Sequence, residues 1–332
     1  ASLAKRREAG LAPFSVLCCD NLPHNGKLLH DLVRDFAALR DDKLSQWIER
    51  NCAFPSTMVD RIVPAVTDDV LHRVEELTGL QDLAPLAHEP FRQWVIEDRF
   101  VEDARPAWDR VGAQLVCDVA PFESMKLRML NAAHSALAYL GYLGGHETIA
   151  DCVHDPVYRR YIEGLWCEEI IPVLPPPPGQ DLYAYAKALL DRFDNRSIRH
   201  RTWQIAMDGS QKLPQRLLAT ARDCLDKGLP IQKLALAIAA WMVFVGGKDL
   251  AGQPIDVRDP LAASLQQRLS LAGSEPEARV RCLLMEEAIF GEDLPRTPDF
   301  VGAIVSAHEK LLRQGVVAAL TAHYPGQQPL TR

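Results

Sequence analysis

A change of pattern near residue 120 constrains this chain more than any other feature, because the residues beyond it suit little besides helices. Before that point, apolar residues come both in short β-favouring runs and at helical spacing; after it, stretches rich in Leu, Met and Ala dominate. Phe14–Cys19 reads as a buried strand, Lys27–Arg50 carries apolar residues at helical spacing, and 68–77 reads as a helix ending near Gly79. Segments 91–97 and 113–117 are further strand candidates. Pro121 suits the first turn of a long helix stopped by Gly144-Gly145, and the run Pro175–Gly179 makes a stiff connector. Later helices are predicted at 181–193, 213–227, 231–245, 276–290 and 298–314. The expectation is an α/β part over residues 1–119 and a mostly α-helical part over 120–332.

Composition narrows the function classes. With 48% hydrophobic and 24% charged residues, the 332-residue chain has the profile of a folded globular protein. Its 44 acidic against 37 basic residues give a net charge of −7, which disfavours non-specific attraction to nucleic acid or to an anionic membrane. The longest apolar stretch, Leu234–Val245, has 12 residues, too few to cross a bilayer, and predicts a buried helix. The first residues, Ala1–Glu8, have no apolar core after their basic residues and read as the tail of a helix, not a secretory signal. Eight irregularly spaced cysteines, two of them adjacent at Cys18-Cys19, read as reduced thiols, so the expected compartment is the cytoplasm. No residue pattern speaks to oligomeric state.

Three segments can carry chemistry. Cys19–Gly26 follows the first strand candidate, at the end of a strand where α/β folds bind ligands; its asparagines can donate amides to a developing negative charge, or simply make a turn and a helix N-cap. In the second, helical spacing puts Lys126, His134 and Asn131 successively about 80° and about 60° apart, within an arc of about 140°. A buried lysine can accept a proton, a histidine can orient the reacting oxygen and an asparagine can stabilise an alkoxide, with no metal required. The plain alternative is a solvated polar stripe. The third, Ser197–Pro214, crowds basic residues at 199–201 and places Lys212 after an Asp-Gly-Ser turn; Arg forks hold carboxylates, although a surface charge cluster would look the same. His146, Cys152 and His154 are close in sequence but lack a second cluster at zinc-site spacing, so no metal is expected.

Taken together and in order, these segments resemble the long-chain polyol dehydrogenase family that includes mannitol 2-dehydrogenase and fructuronate reductase. The resemblance rests on Cys19–Gly26, Phe54–Pro64, Glu89–Val95 and the Lys126, Asn131, His134 set, and spans nearly the whole chain. It implies metal-independent hydride transfer between a secondary alcohol and NAD, with Lys126 as general acid/base and Asn21 and Asn131 as the oxyanion pair. His134 would hold the reacting hydroxyl, Val59 and Asp60 (with Asn21) would lie near the nicotinamide, Glu123 would serve proton release, and Lys212 would bind substrate. At Gln204, where the mannitol enzymes use an arginine for substrate, the chain departs from the polyol pattern. The stretch His200–Arg216 looks instead like the fructuronate reductase branch, whose substrates carry a carboxylate that Arg199 or Arg201 could meet.

The expected reaction is the interconversion of D-fructuronate and D-mannonate, the alternative a mannitol or arabinitol 2-dehydrogenase. The expected partner is therefore a small sugar acid or polyol. The resemblance also implies a Rossmann-like first domain, yet the glycine fingerprint Gly-x-Gly-x-x-Gly is missing. Residues 1–119 are thus expected to be the rear, partial portion of a dinucleotide-binding domain. A reading of another class, a non-catalytic helical binding module, arises from the same gap.

Overall fold

A computed structural model of the protein describes residues 1–322, and the chain divides into two compact units, Ala1–Ser124 and Met125–Arg332.

The first unit is α/β. Three short strands, β1 (Thr57–Asp60), β2 (Gln93–Glu97) and β3 (Gln114–Val116), form one sheet in the order β1-β2-β3. β1 runs antiparallel to β2, with Met58 opposite Val95, whereas β3 runs parallel to it, with Leu115 opposite Ile96. One sheet face buries Met58 and Val95 against Val119 and Phe122. The expected strand at Phe14–Cys19 does not form among the described residues. Its backbone makes isolated bonds instead of a ladder: the Val16 amide donates to Ala53 O at 2.9 Å, and Cys18 O accepts from Thr57 Oγ1 at 2.6 Å and from Asn25 Nδ2 at 3.3 Å. A ladder needs a neighbouring strand in register, and here a side chain takes that place.

That side chain is Asn25. Its Oδ1 accepts from the Thr57 amide at 3.0 Å, and its Nδ2 donates to Thr57 O at 2.8 Å and to Asp20 O at 2.9 Å. One buried amide thus satisfies both backbone groups of the first residue of β1, as a paired strand would. Gly26 lets this approach happen: a Cβ there would lie 2.5–2.7 Å from Phe54 O, Ser56 N and Pro55 C, all backbone atoms that cannot swing away. Residues 27–50 are not one helix but two, Asn25–Ala38 and Asp42–Asn51, because Asp41 adopts an extended conformation and caps the second by accepting from the Lys43 amide at 2.8 Å.

The second unit is helical. Gln232–Val245 is buried at every residue but its first and packs against Ala132–Leu143 and Pro298–Thr321. Each of its large apolar side chains, such as Leu236, Ile238 and Phe244, contributes about 1.5–3 kcal/mol by burial. The buried carboxylate of Glu169 caps its start, accepting from the Lys233 and Leu234 amides at 2.8 Å each. Helices occur at Leu182–Phe193 and Gln232–Val245 as predicted, while the stretch 276–290 breaks into Pro276–Leu284 and Glu287–Phe290. Pro298–Thr321 runs beyond the predicted 314 with a non-helical Gly315, and Ala262–Ala272 is a helix that local pattern did not signal.

Three π-helical turns interrupt these helices, at Lys126–Asn131, Leu165–Ile170 and Pro214–Leu218, and the first packs against the other two. A π turn shifts the hydrogen-bond ladder and leaves carbonyls for other donors. Carbonyls within these turns accept from side chains of other segments: Trp166 Nε1 donates to Met129 O at 3.0 Å, Cys224 Sγ to Glu169 O at 2.9 Å, and Arg216 Nη1 to Asn131 O at 3.5 Å.

Gly26→Ala is expected to destabilise the first unit by about 1–3 kcal/mol, because the added methyl has only rigid backbone to meet. Urea denaturation monitored by circular dichroism checks this; an unchanged midpoint would contradict the account of Asn25-Gly26 as a structural clamp.

Candidate functional site

The residues singled out from the sequence fall into two groups, one on each unit. On the first unit, Asn21 is exposed in the loop before Asn25, and its amide donates to Asp20 Oδ1 at 3.1 Å. Val59 and Asp60 occupy the end of β1, which is an edge of the sheet; Val59 is half-buried and Asp60 buried. Glu123 is buried, and its Oε2 accepts from the His24 amide at 3.2 Å. His24 adopts a left-handed conformation (φ 50°) to make that contact. Oε1 of Glu123 is buried with no hydrogen-bond partner, and desolvation raises the carboxyl above the usual range, only partly offset by the His24 amide. Glu123 and His24 line a cavity of about 530 Å³ with Lys27, His30, Glu97 and Asp118.

On the second unit, Lys126, Asn131 and His134 are all buried. The π turn from Lys126 to Asn131 alters the geometry expected of an α-helix: i→i+5 bonding brings Lys126 and Asn131 nearer to one stripe than the α-helical arc of about 140°. His134 stacks on Phe193 (ring centroids 4.4 Å apart) and meets His200 edge-on at 5.1 Å. Its Nε2 is buried without a partner, as is Nδ1 of His200. Burial, with the charges of Arg216 and Arg192 adding to it, holds His134 well below its ordinary 6.5. Burial, then the charge of Lys212, lowers His200 to about 4. Both rings are therefore neutral at pH 7.

Lys212 closes this cluster. Its Nζ donates to Met207 O at 2.5 Å and Ile205 O at 3.3 Å, with Asp208 Oδ2 at 3.9 Å. Desolvation first, and the Arg216 charge second, lower its pKa to about 8, so it remains mostly protonated at pH 7. The turn before it is built for tight packing. Asp208 takes the left-handed conformation, the Ser210 amide donates to Asp259 Oδ2 at 2.7 Å, and Gly209 lies against Trp241 and Tyr139 with no room for a side chain.

The two arginines expected to meet a carboxylate lie elsewhere. Residues 199–201 lie beside 146–149, bridging at Arg201 and Thr148: the Ile149 amide donates to His200 O and the Thr202 amide to Glu147 O, each at 3.0 Å. Alternation along an extended segment turns His200 inward and Arg199 and Arg201 outward, where both reach Glu147 Oε1, at 3.1 and 3.6 Å. Gln204 is half-buried on the helix Thr202–Ala206. His200 and Arg216 are the cluster members that sequence reasoning did not select. For Arg216 a signal existed, since it lies four residues after Lys212 on the same helical stretch.

The neighbours in sequence His146, Cys152 and His154 go to separate partners, Asp155, Leu137 O and Asp194. Among the described residues no group of three or more His, Cys, Asp or Glu side chains is placed to hold a metal ion, and no helix is long and apolar enough to cross a membrane. All eight cysteines are free.

Because His134 and His200 stay neutral in the fold but charge in the unfolded chain at their ordinary 6.5, the unfolded state binds more protons between about pH 4 and 6.5. Their stabilising effect is complete above 6.5 and is lost as pH falls towards 4. Unfolding midpoints across that range should drop on acidification, and less steeply in His200→Gln; an identical pH dependence in the variant would contradict the assignment.

Comparison with known proteins fits this arrangement. Residues 1–110 match the model of the mannitol dehydrogenase Rossmann domain, and residues 118–312 that of the mannitol dehydrogenase C-terminal domain. The chain is 52% identical over 323 residues to D-mannonate oxidoreductase of Escherichia coli K12, covering 96% of this chain and 66% of that protein. It is 51% identical over 322 residues to the uncharacterized oxidoreductase YdfI of the same organism, covering 97% of this chain and 66% of that one. The structure of Pseudomonas fluorescens mannitol 2-dehydrogenase in ternary complex with NAD and D-mannitol superposes with a TM-score of 0.87 at 37% identity, over 97% of this chain and 64% of that one. The chain thus spans about two thirds of the length of these relatives. A Rossmann-like unit with a small sheet and a mostly helical unit, each matching its own model, place the chain in the mannitol dehydrogenase family.

Proposed function

We propose that this chain belongs to an NAD-dependent dehydrogenase that interconverts D-fructuronate and D-mannonate. The observation that carries the reading is the buried polar cluster of the second unit. His134 Nε2 and His200 Nδ1 have no partner, and Lys212 and Arg216 place positive charge beside them. Buried polar atoms without partners are costly, and a ligand rich in hydroxyls with one negative charge would satisfy them. The 52% identity to D-mannonate oxidoreductase supports the acid over the neutral polyol, as does Gln204 at the place where the mannitol enzymes carry arginine.

In this reading Lys126 takes the proton from the substrate hydroxyl as the alcohol is oxidised, and returns it in reduction. His134, neutral at working pH, holds that hydroxyl through Nε2. The amide of Asn131 stabilises the developing alkoxide, a role the family resemblance also gives to Asn21. Lys212 and Gln204 bind the sugar chain, and Arg199 and Arg201, engaged with Glu147, form the outer rim. Glu123 passes the released proton to solvent, a task suited to a carboxyl whose pKa burial has raised.

The residues present fit a nicotinamide cofactor. The unpartnered Oε1 of Glu123, beside a cavity of about 530 Å³, gives the first unit room and a polar wall for a guest. Val59, Asp60 and Asn21 lie outside the lining of that cavity, and it is the family resemblance that has them hold the nicotinamide end. NAD, when bound, supplies the hydride acceptor. Free cysteines throughout suit the reducing cytoplasm, where such an enzyme would act.

With NAD+ supplied, absorbance of the reduced nicotinamide should rise on addition of D-mannonate and much less on addition of D-mannitol. Faster turnover of mannitol or arabinitol would replace the sugar acid with a polyol. Lys126→Ala should slow the reaction by about 100-fold or more with the circular dichroism spectrum intact; a loss below about tenfold would remove Lys126 from the acid/base role.

A further inference from the structure

Arg216 is only 9% exposed, and its guanidinium is used on one side alone. Nη1 donates to Ser135 Oγ at 3.1 Å and to Asn131 O at 3.5 Å. Nε is buried without a partner, and Nη2 makes no hydrogen bond among the described residues. No carboxylate forms an ion pair with Arg216 among the described residues, although Asp208 and Asp259 lie in the same region, near Lys212 and Tyr139. A buried cation with no counter-charge is expensive, and folding rarely leaves one without a reason.

The arrangement of the used and unused donors is informative. In a guanidinium, the Nε–H and one Nη2–H point the same way and form the edge that grips a carboxylate through two parallel hydrogen bonds. Nη1, the nitrogen outside that edge, is the one engaged with the protein. Ser135 and Asn131 therefore fix the plane of the guanidinium while leaving its fork unspent. The neighbours are those of the proposed reaction: Asn131 lies at the end of the π turn that begins with Lys126, His134 adjoins Ser135, and the Arg216 charge is felt at both His134 and Lys212.

We infer that the Nε/Nη2 edge of Arg216 is the carboxylate receptor of this site and selects sugar acids over neutral polyols. This rests on the sugar-acid reading above, and it moves the counter-charge from Arg199 and Arg201, both exposed and engaged with Glu147, to a guanidinium already desolvated and oriented. Preorganisation of that kind favours a planar anion with little further ordering of the protein.

Calorimetric titration of the protein with D-mannonate and with D-mannitol, in wild type, R216Q and R216K, tests the inference without relying on turnover. Wild type should prefer D-mannonate. R216Q should lose about 30-fold or more in affinity for D-mannonate while its affinity for D-mannitol changes less than about threefold. R216K, which keeps the charge and loses the fork, should fall between, and serves if R216Q does not fold. A wild type that prefers D-mannitol would overturn the sugar-acid reading and this inference with it. A wild type that prefers D-mannonate, with variants that keep the preference, would overturn the role of Arg216 alone. Equal losses for acid and polyol would show a structural brace and also overturn it.

Discussion

The polar cluster of the second unit depends on how two π turns are set against each other, with Arg216 reaching from one to the end of the other. Its guanidinium comes from the turn Pro214–Leu218 and satisfies a carbonyl at the end of the turn Lys126–Asn131. A buried carbonyl left unpaired costs about 1–3 kcal/mol, so each such donor is a stabilising contact. The reward for the irregularity is placement: a regular α-helix would carry Asn131 round to a different side from Lys126, and the π turn keeps them closer. Ala132–Leu143 and Gln232–Val245, buried along nearly their whole length, give these turns close-packed surroundings.

Charge in this cluster is arranged to be incomplete. His134 and His200 are kept neutral chiefly by burial, and Lys212 is brought towards neutrality by the same cause and by the cation beside it. Of the nearby carboxylates, Asp259 is spent on backbone, accepting from the Ser210 and Leu261 amides at 2.7 and 2.9 Å, while Asp208 lies 3.9 Å from Lys212 Nζ. Positive charge and unpartnered ring nitrogens are left beside one another, largely buried. A net acidic chain can thus still concentrate cationic groups at one buried spot.

How much of this was legible beforehand can be traced residue by residue. The long helices at 181–193 and 231–245 were readable because burial imposes an apolar pattern over many residues. The π turns were not, since they depend on donors such as Trp166 and Arg216 that lie 37 and 85 residues away from the carbonyls they serve. Phe14–Cys19 has strand composition but no ladder among the described residues, because strand propensity only matters when a partner edge is present. The motif Cys19–Gly26 admitted a turn-and-cap reading and a ligand-binding one, and its last two residues serve structure: Asn25 stands in for a strand and Gly26 makes the room. Glu89, in another motif, likewise accepts from the Ile62 amide at 2.6 Å. Arg199 and Arg201 were attractive as charges, but side-chain direction is decided by backbone alternation, which the pairing with residues 146–149 sets.

In the proposed reading, the buried cluster of the second unit, with His134 and His200 kept neutral by burial, is where a sugar acid would bind. Nitrogen-15 NMR of the histidine side chains addresses it directly. The account predicts that His200 titrates only near pH 4 and His134 well below 6.5, with saturable movement of the His134 Nε2 resonance as D-mannonate is added. Ordinary titration of both rings near 6.5, or resonances indifferent to D-mannonate, would contradict it.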